Sequence, residues 1–239
     1  MDTIKFEKGN VLMVAHRGLS GIEKENTNAA FIAAGNRSYY GIETDIKRTA
    51  DGKFVLNHDP HLQRVSGENV PVAEVSLAVL QSVLLTDTDG TRDRQDLRPT
   101  TLENYIKLCK RYEKQSVLEL KDEFTDEEFL QIVDVIKSYD YLEHVTFISF
   151  IYENMKTVRK HLPDQPAQFL SFVLTDEIIA EASADRIDVD IDHRGLTPEN
   201  IAAAHAAGLK VNCWTINTKE LGEQMVAWGV DYITTNILE

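Results

Sequence analysis

The chain has 239 residues, of which 43% are hydrophobic and 27% are charged. That balance is typical of a globular protein that buries a sizeable core, and it excludes disordered, collagen-like and fibrous classes. The 25 Lys and Arg residues against 39 Asp and Glu residues give a formal net charge of −14. Most of the surface therefore repels a polyanion, and nucleic acid is not expected as a partner.

Neither a targeting segment nor a membrane anchor is predicted. Residues 1–10 mix charges with apolar residues, and no stretch approaches the roughly 20 uncharged residues that a membrane span requires. Cys109 and Cys213 lie in apolar segments without metal-type spacing, which does not indicate a disulfide framework. We expect a cytoplasmic protein without stable membrane insertion, and no pattern predicts its oligomeric state.

Short β-branched segments alternate with longer helical patterns along the whole chain. The predicted strands are residues 11–15, 41–45, 116–120, 144–149, 168–172, 186–190, 210–214 and 231–235. The predicted helices are residues 27–37, 101–112, 126–139, 151–161, 176–184, 198–207 and 218–228. This alternation implies parallel strands with right-handed crossovers, and it predicts an α/β fold, the closed (β/α)₈ TIM barrel. The alternative, an open doubly wound sheet, would usually carry a Gly-rich phosphate loop, and neither GxGxxG nor GxxxxGK[ST] occurs.

One segment interrupts the alternation. Residues 57–100 are weakly periodic and rich in polar stretches, which predicts a small insertion after the second strand within a single catalytic domain, residues 1–239. Barrel enzymes bind substrate at the carboxyl ends of their strands, where this segment begins. A helix predicted over residues 73–84 is placed to cover the mouth of the barrel.

Three acidic residues are candidate metal ligands. Glu43 and Asp45 lie two positions apart on the second predicted strand, so they share one face and repel each other inside a barrel. Glu119 ends the next strand at the same height and supplies a third hard oxygen ligand, which suits one divalent cation, Mg²⁺ or Ca²⁺. The alternative is a solvated strand end, or ion pairs from these carboxylates to Lys47 or Arg48.

The same strand ends carry candidate acid, base and phosphate-binding groups. His16 and His58 are the candidate general acid and base, because imidazole titrates near neutral pH. Arg17 and Lys121 would hold phosphate oxygens beside the cation, so the set predicts a site that breaks a P–O bond. The alternative for each histidine is an ordinary core or surface position.

A second HRGL, residues 193–196, repeats residues 16–19. It lies beyond its strand and leads into a helix start with Thr197 as N-cap, so we interpret it as coincidence. Three alternating acidic residues precede it on one strand face, where they would shape the substrate pocket or bind a second cation: Asp188, Asp190 and Asp192. Solvated acidic loops are commoner than metal sites, which disfavours the second cation.

The ordered motifs resemble the glycerophosphodiester phosphodiesterase family. They are HRG (16–18), ENT (25–27), ETD (43–45), TADGKFVLNHD (49–59), ELK (119–121), VNCWTIN (211–217) and GVDYITTN (229–236). The most specific part is the ordered set HRG, ExD, HD and ExK. The resemblance implies a TIM barrel that uses one divalent cation to hydrolyse a small-molecule glycerophosphodiester to an alcohol and glycerol 3-phosphate, an activity of lipid and glycerol metabolism. It also implies that a hydroxyl of the glycerol can attack first, which gives a cyclic phosphate that water opens.

The resemblance also implies a role for each candidate. It implies acid and base roles for His16 and His58, metal ligation by Glu43, Asp45 and Glu119, and phosphate contacts by Arg17 and Lys121. Trp214 matches an aromatic residue near the substrate, although a barrel-core Trp is an equally good interpretation. Two positions depart from the family pattern. Lys24 in place of Pro affects the shape of the first loop, and Asn236 in place of Asp removes a negative charge after the last strand.

Three alternative functions use the same residues. A phospholipase D-like lyase, as in sphingomyelinase D-like relatives, would stop at the cyclic phosphate, but such relatives are generally secreted and disulfide-bonded. A non-catalytic phosphate-binding barrel would need no proton-transfer pair. A metal-dependent aldolase or isomerase would use Lys121 as a base or Schiff-base amine. The preferred alcohol group is not predicted.

Overall fold

The computed structural model describes residues 2–239, and its strands form a closed ring. The strands are β1 (Leu12–Ala15), β2 (Gly41–Arg48), β3 (Phe54–Leu56), β4 (Gln115–Leu120), β5 (Val145–Ser149), β6 (Ala167–Ser171), β7 (Asp188–Asp192), β8 (Val211–Trp214) and β9 (Tyr232–Thr235). Within residues 2–239, all except β3 pair in parallel in that order, and β9 pairs back with β1. The TIM barrel prediction is confirmed, and the open-sheet alternative is wrong because β1 has a neighbour on each side.

Helices surround the barrel, and all but the short helix Gln63–Ser66 lie where the sequence pattern predicts them. They are α1 (Asn28–Gly35), α2 (Gln63–Ser66), α3 (Leu77–Ser82), α4 (Leu102–Arg111), α5 (Asp126–Lys137), α6 (Tyr152–His161), α7 (Asp176–Asp185), α8 (Pro198–Ala206) and α9 (Lys219–Trp228). Six begin after a threonine whose hydroxyl accepts a backbone N–H three residues on: Thr27, Thr101, Thr125, Thr175, Thr197 and Thr218. Such caps satisfy backbone donors that the first helical turn leaves unpaired.

One strand is displaced from its predicted position. The strand predicted over residues 186–190 begins two residues later, at Asp188, because Arg186 adopts a left-handed conformation with φ 55° and ends α7. This shift makes Asp192 the last strand residue, so the second HRGL begins directly at the strand end.

The apolar side chains divide into layers. A large cluster lies between the strands and the surrounding helices, while a small one, Val14, Val117, Ile148 and Leu170, comes from β1, β4, β5 and β6 with Trp214 packed on it. Within residues 2–239, no helix is both long and apolar enough to cross a bilayer.

The segment between β3 and α4 packs on Val55 of β3 in an apolar cluster of its own, whose other members are Leu62, Val65, Val72, Leu80, Val83, Leu85 and Leu97. Here α3 lies beside the β2–β3 hairpin, where the backbone N–H of Leu77 donates to Asp51 Oδ1 at 3.0 Å. No residue of α3 lines the cavity at the carboxyl ends of the strands. The expectation that this helix covers the barrel mouth is therefore wrong.

Candidate active site

A cavity of about 160 Å³ lies at the carboxyl ends of the barrel strands. The predicted site residues that line it are His16, Arg17, Glu43, His58, Glu119, Lys121 and Trp214. Asp45 lies directly beside this set, with Oδ2 3.4 Å from Arg17 Nε and Oδ1 3.6 Å from Lys121 Nζ. The fold thus brings together residues that are up to about two hundred positions apart in the chain.

The three candidate metal ligands form one buried cluster. Strand register pairs Asp45 of β2 with Glu119 of β4, which sets the two side chains at the same height. One carboxylate oxygen from each of Glu43, Asp45 and Glu119 lies within 4.8 Å of the others. Glu43 Oε1 and Asp45 Oδ1 are buried without a hydrogen-bond partner among residues 2–239. Unpaired hard oxygens at this spacing fit a divalent cation such as Mg²⁺ or Ca²⁺.

Burial and mutual repulsion perturb the acidity of these carboxyls. Burial, Asp45 and Glu119 together raise the pKa of Glu43 well above its usual value. Burial, with help from Asp45, raises the pKa of Glu119 to about 8. Burial also opposes ionisation of Asp45, but Arg17 and Lys121 outweigh it and hold the pKa of Asp45 below its usual value. The cluster therefore resists carrying three negative charges unless more positive charge enters.

The alternative interpretation, in which Glu43 and Asp45 form ion pairs with Lys47 or Arg48, is wrong. Lys47 Nζ binds Asp122 Oδ1 at 2.7 Å, and Arg48 Nη1 lies 3.0 Å from Glu128 Oε1, both away from the cluster.

We expect the stabilising effect of a divalent cation to increase with pH. The pKa of Glu119 rises from 4.5 to about 8 on folding. The contribution of protonated Glu119 to the free energy of unfolding is therefore fully present below pH 4.5 and is lost as the pH rises through 8. A cation binds the ionised cluster, so Mg²⁺ or Ca²⁺ should raise Tm more at pH 8 than at pH 6, by about 2–4 °C for each kcal/mol of added stabilisation. Thermal melts with cation and with EDTA measure this, and equal shifts at both pH values would contradict it.

The first loop is shaped around the second strand. Arg17 adopts φ 55°, and its backbone N–H donates to Glu43 Oε2 at 2.7 Å. Gly18 has φ 76°, and a Cβ there would lie 2.7 Å from the backbone carbon of Ala30, which explains the glycine of HRG.

The ENT motif holds the same loop together. Asn26 donates from Nδ2 to Asp45 Oδ2 at 2.7 Å, and Thr27 caps α1. Glu25 accepts from Arg17 Nη1 at 3.0 Å and also pairs with Arg64 of α2. The sequence analysis assigned no site role to Glu25, Asn26 or Arg64. The ENT motif could have indicated such a role for the first two. Lys24, the departure before ENT, does not line the cavity.

His16 is oriented by the residue that follows the last strand. Its Nδ1 lies 2.7 Å from Asn236 Oδ1, and that oxygen also accepts from the Ser20 hydroxyl at 3.0 Å. An amide oxygen can only accept, so Nδ1 carries the proton and Nε2, 4.0 Å from Glu43 Oε2, is left with a lone pair. Burial, and secondarily the charge of Arg17, lower the pKa of His16 to about 4. A neutral imidazole with a free Nε2 can accept a proton.

His58 has a different partner. Its Nδ1 lies 2.6 Å from Asp59 Oδ1, and Asp59 Oδ2 accepts from Arg64 Nε at 2.6 Å. The pKa of His58 is lowered overall, because burial, together with the charge of Arg17, outweighs the opposing effects of Asp45 and Asp59. Because Nδ1 is held by Asp59 and the ring lines the cavity, Nε2 is the ring nitrogen left to carry a proton to a leaving group.

Two cations border the carboxylate cluster. Lys121 Nζ lies 2.8 Å from Glu119 Oε1, while Arg17 is shared between Glu25 and Asp45. Both side chains line the cavity, where their charges would attract an anion.

The opposite side of the cavity mouth is aromatic. Trp214 contacts Phe150 and Phe172 edge-to-face, with ring centroids 5.6 and 5.5 Å away. Phe150 and Phe172 stack on each other at 5.2 Å, and both line the cavity. The two phenylalanines directly follow β5 and β6. This strand-end position could have predicted that they line the site, but the sequence analysis did not consider them. Trp214 lies at the cavity wall rather than wholly inside the core.

The second HRGL lies outside the cavity. Asp192 accepts from Arg194 Nη2 at 2.6 Å and lies 3.3 Å from His193 Nδ1. Neither His193 nor Arg194 lines the cavity. A Cβ on Gly195 would lie 2.3 Å from the Phe172 carbonyl oxygen, so this glycine serves loop packing.

We expect His193→Ala to retain activity within about threefold of the unaltered protein, since side chains outside such sites contribute only a few tenths of a kcal/mol. The measurement is kcat/KM for phosphodiester hydrolysis beside His16→Ala. Loss of most activity in His193→Ala, with His16→Ala unaffected, would mean that the wrong HRGL copy has been identified.

The alternating acidic residues of β7 do not converge. Asp188 accepts from the backbone N–H of Lys210 at 2.8 Å, and Asp192 pairs with Arg194. Only Asp190 lines the cavity. The one group of three or more ligand-type side chains in residues 2–239 is that of Glu43, Asp45 and Glu119. The interpretation of β7 as a second cation site is wrong, because its carboxyl groups face different surroundings.

Comparison with known proteins places this site in a family context. The model of the glycerophosphoryl diester phosphodiesterase family matches residues 16–239. A glycerophosphodiester phosphodiesterase of Caldanaerobacter subterraneus subsp. tengcongensis is 26% identical over 228 residues, which cover 94% of this chain and 93% of that protein. A glycerophosphodiester phosphodiesterase of Bacillus subtilis is 25% identical, with 95% of this chain and 83% of that protein covered.

Solved structures have the same fold. An Oleispira antarctica phosphodiesterase, solved in complex with the product sn-glycerol-3-phosphate, superposes with a TM-score of 0.85 at 24% identity, covering 94% of this chain and 92% of that one. A glycerophosphodiester phosphodiesterase of Parabacteroides distasonis gives 0.80 at 25% identity, covering 95% and 93%.

Proposed function

The chain belongs to the glycerophosphoryl diester phosphodiesterase family, and on that premise we propose that it hydrolyses glycerophosphodiesters to an alcohol and glycerol 3-phosphate. The observation that carries the proposal is the joining of three buried carboxylates, two differently partnered histidines and two cationic side chains around one cavity. The product named for the Oleispira antarctica neighbour agrees with this substrate class.

Glu43, Asp45 and Glu119 are the proposed ligands of one divalent cation. The unpaired buried oxygens of Glu43 and Asp45, and the repulsion among the three carboxylates, support this assignment. When bound, such a cation supplies charge stabilisation for a phosphoryl oxygen in the transition state. Three carboxylates with open positions suit Mg²⁺ and Ca²⁺ alike.

His16 is the proposed general base. Its Nδ1–H is committed to Asn236, so its Nε2 lone pair is available to the cavity. Its low pKa keeps the ring unprotonated at neutral pH, the state that a base needs. His16 removes the proton of the attacking hydroxyl as the new P–O bond forms.

His58 is the proposed general acid. The carboxylate of Asp59 stabilises the imidazolium, and Arg64 holds Asp59 in place. The proton passes from His58 to the alcohol oxygen as its P–O bond breaks, so the alcohol leaves neutral.

The remaining predicted residues bind the substrate. Arg17 and Lys121 line the cavity next to the carboxylate cluster and are the proposed phosphate contacts. Trp214, held by its Nε1–H bond to the Asp190 carbonyl at 3.2 Å, is the proposed surface for the glycerol carbons. The attacking group is either water or the neighbouring glycerol hydroxyl, which forms a cyclic phosphate that water then opens.

We also propose that residues 1–239 act as one catalytic domain in the cytoplasm, with 57–100 as an insertion. The contact of Arg64 with Glu25 and Asp59 supports a role for the insertion in shaping the site.

The test is a panel of glycerophosphodiesters carrying choline, ethanolamine, inositol or glycerol, assayed for glycerol 3-phosphate after EDTA treatment and addition of Mg²⁺ or Ca²⁺. We expect release that depends on the added cation. Turnover that persists in excess chelator would contradict the metal role. Phosphorus NMR separates the alternatives: a cyclic phosphate as the only end product would favour a lyase, and no turnover with tight phosphate binding would favour a binding barrel.

A further inference from the structure

Asp190 is a buried carboxyl that neither the metal cluster nor the proton-transfer pair uses. It projects from β7 into the same cavity, and only 1% of it is exposed. Its Oδ1 finds no hydrogen-bond partner among residues 2–239. A buried polar atom without a partner is costly and uncommon, so this oxygen calls for an explanation.

The polar neighbours of Asp190 form hydrogen bonds with one another and none with its side chain. Asn212, its register partner on β8, donates to Gln168 Oε1 at 3.1 Å and accepts from the Thr234 hydroxyl at 3.2 Å. Trp214 donates to the backbone carbonyl of Asp190 and not to its side chain. The unpaired oxygen is therefore left for a group that enters the cavity.

The position of Asp190 in the ring indicates which part of a substrate it meets. Three strands separate β7 from β2 in either direction, so Asp190 lies across the barrel from Glu43 and Asp45. The phosphate group would bind on the β1, β2 and β4 side, where Arg17 and Lys121 lie. The glycerol group, whose carbons we place on Trp214, then extends toward β7.

We propose that the Asp190 carboxyl binds the terminal hydroxyl of the glycerol group and thereby selects substrates in which that hydroxyl is free. This inference rests on the proposed function. The hydroxyl adjacent to the phosphate ester must stay near phosphorus, so the terminal hydroxyl is the one that reaches the far wall. Burial, with Glu119 adding to it, raises the pKa of Asp190 well above its usual value, and a neutral carboxyl can both donate and accept. A site built to bind a hydroxyl discriminates strongly against an analogue that lacks it.

The experiment compares two substrates on matched variants. One substrate is glycerophosphocholine, and the other is the phosphocholine ester of propane-1,2-diol, which keeps the hydroxyl beside the phosphate and lacks the terminal one. Asp190→Leu removes the hydrogen-bonding groups and keeps the branched shape, Asp190→Asn retains them, and Asp190→Ala replaces the leucine variant if that one does not fold. Asp188→Ala, on the same strand but outside the cavity, is the control.

We expect the unaltered protein to favour glycerophosphocholine by about 10- to 100-fold in kcat/KM, the worth of one hydrogen bond to a buried polar group. Asp190→Leu should reduce that preference to within about threefold, whereas Asp190→Asn and Asp188→Ala should keep most of it. An equal loss on both substrates in Asp190→Leu, with the preference intact, would overturn the proposal and leave Asp190 a structural residue.

Failure of the proposed function has a different signature. Hydrolysis of glycerophosphocholine without any preference contradicts only the Asp190 inference, whereas no hydrolysis of either substrate contradicts the proposed function. Calorimetry then decides the role of Asp190. The unaltered protein should bind glycerol 3-phosphate more tightly than propane-1,2-diol 1-phosphate, whereas Asp190→Leu should bind the two with equal affinity. Equal binding of the two phosphomonoesters by the unaltered protein would overturn the inference.

Discussion

Asp45→Asn is expected to lower kcat/KM for glycerophosphodiester hydrolysis by on the order of 10³-fold, since a metal ligand supplies several kcal/mol of transition-state stabilisation. Asp45 has contacts on both carboxylate oxygens: Oδ2 accepts from Asn26 and lies near Arg17, while Oδ1 has no hydrogen-bond partner and lies 3.6 Å from Lys121 Nζ. The amide keeps the shape of the side chain but loses the charge. Cation affinity, measured by calorimetry, should fall together with activity.

The matched control is Asp188→Asn, a carboxyl of another barrel strand that does not line the cavity. It should retain kcat/KM and cation affinity. Full activity of Asp45→Asn, or a loss of activity with unchanged cation affinity, would contradict the assignment of Asp45 as a ligand.

The second large effect concerns the two histidines, because general acid–base catalysis contributes about 10²–10⁴-fold for each group. We expect His16→Ala and His58→Ala each to lose activity within that range. They should differ when the alcohol is a good leaving group, such as p-nitrophenol esterified to glycerol phosphate. That leaving group needs no proton, so the loss in His58→Ala should shrink, while the loss in His16→Ala should remain.

His205→Ala is the control for this pair, because His205 pairs with Asp231 away from the cavity. The measurement is kcat/KM for the choline and p-nitrophenyl substrates on all three variants. If His16→Ala were the variant rescued by the good leaving group, the acid and base roles would be exchanged. Undiminished turnover in both variants would exclude either role.

The proposed proton-transfer roles depend on contacts that are remote in sequence. Asn236 directly follows the last strand, and its amide oxygen orients His16 across 220 positions. On the other side, Arg64 of α2 binds both Asp59 and Glu25, which links the loop of Arg17 to that of His58. The two imidazoles therefore have different partners: the amide of Asn236 for His16 and the carboxylate of Asp59 for His58.

The sequence alone was sufficient for the barrel and for the candidate residues. Alternating strand and helix patterns predicted the order of elements, because apolar periodicity and threonine caps are local properties. Glu43 and Asp45 were recognisable because residues two apart on a strand share a face. The position of β7 was two residues wrong because the left-handed Arg186 carries no strong local signal, unlike a glycine.

Only the tertiary structure decided how these residues are partnered. The pairing of Asp45 with Glu119, the different acceptors of His16 and His58, and the unpaired oxygen of Asp190 all depend on strand register and on loops from distant parts of the chain. It also showed that α3 lies beside the hairpin and that the β7 carboxyls diverge. The physical reason is that local patterns specify which face of an element is buried, whereas hydrogen bonds and charges act over a few ångströms between groups that closure of the barrel brings together.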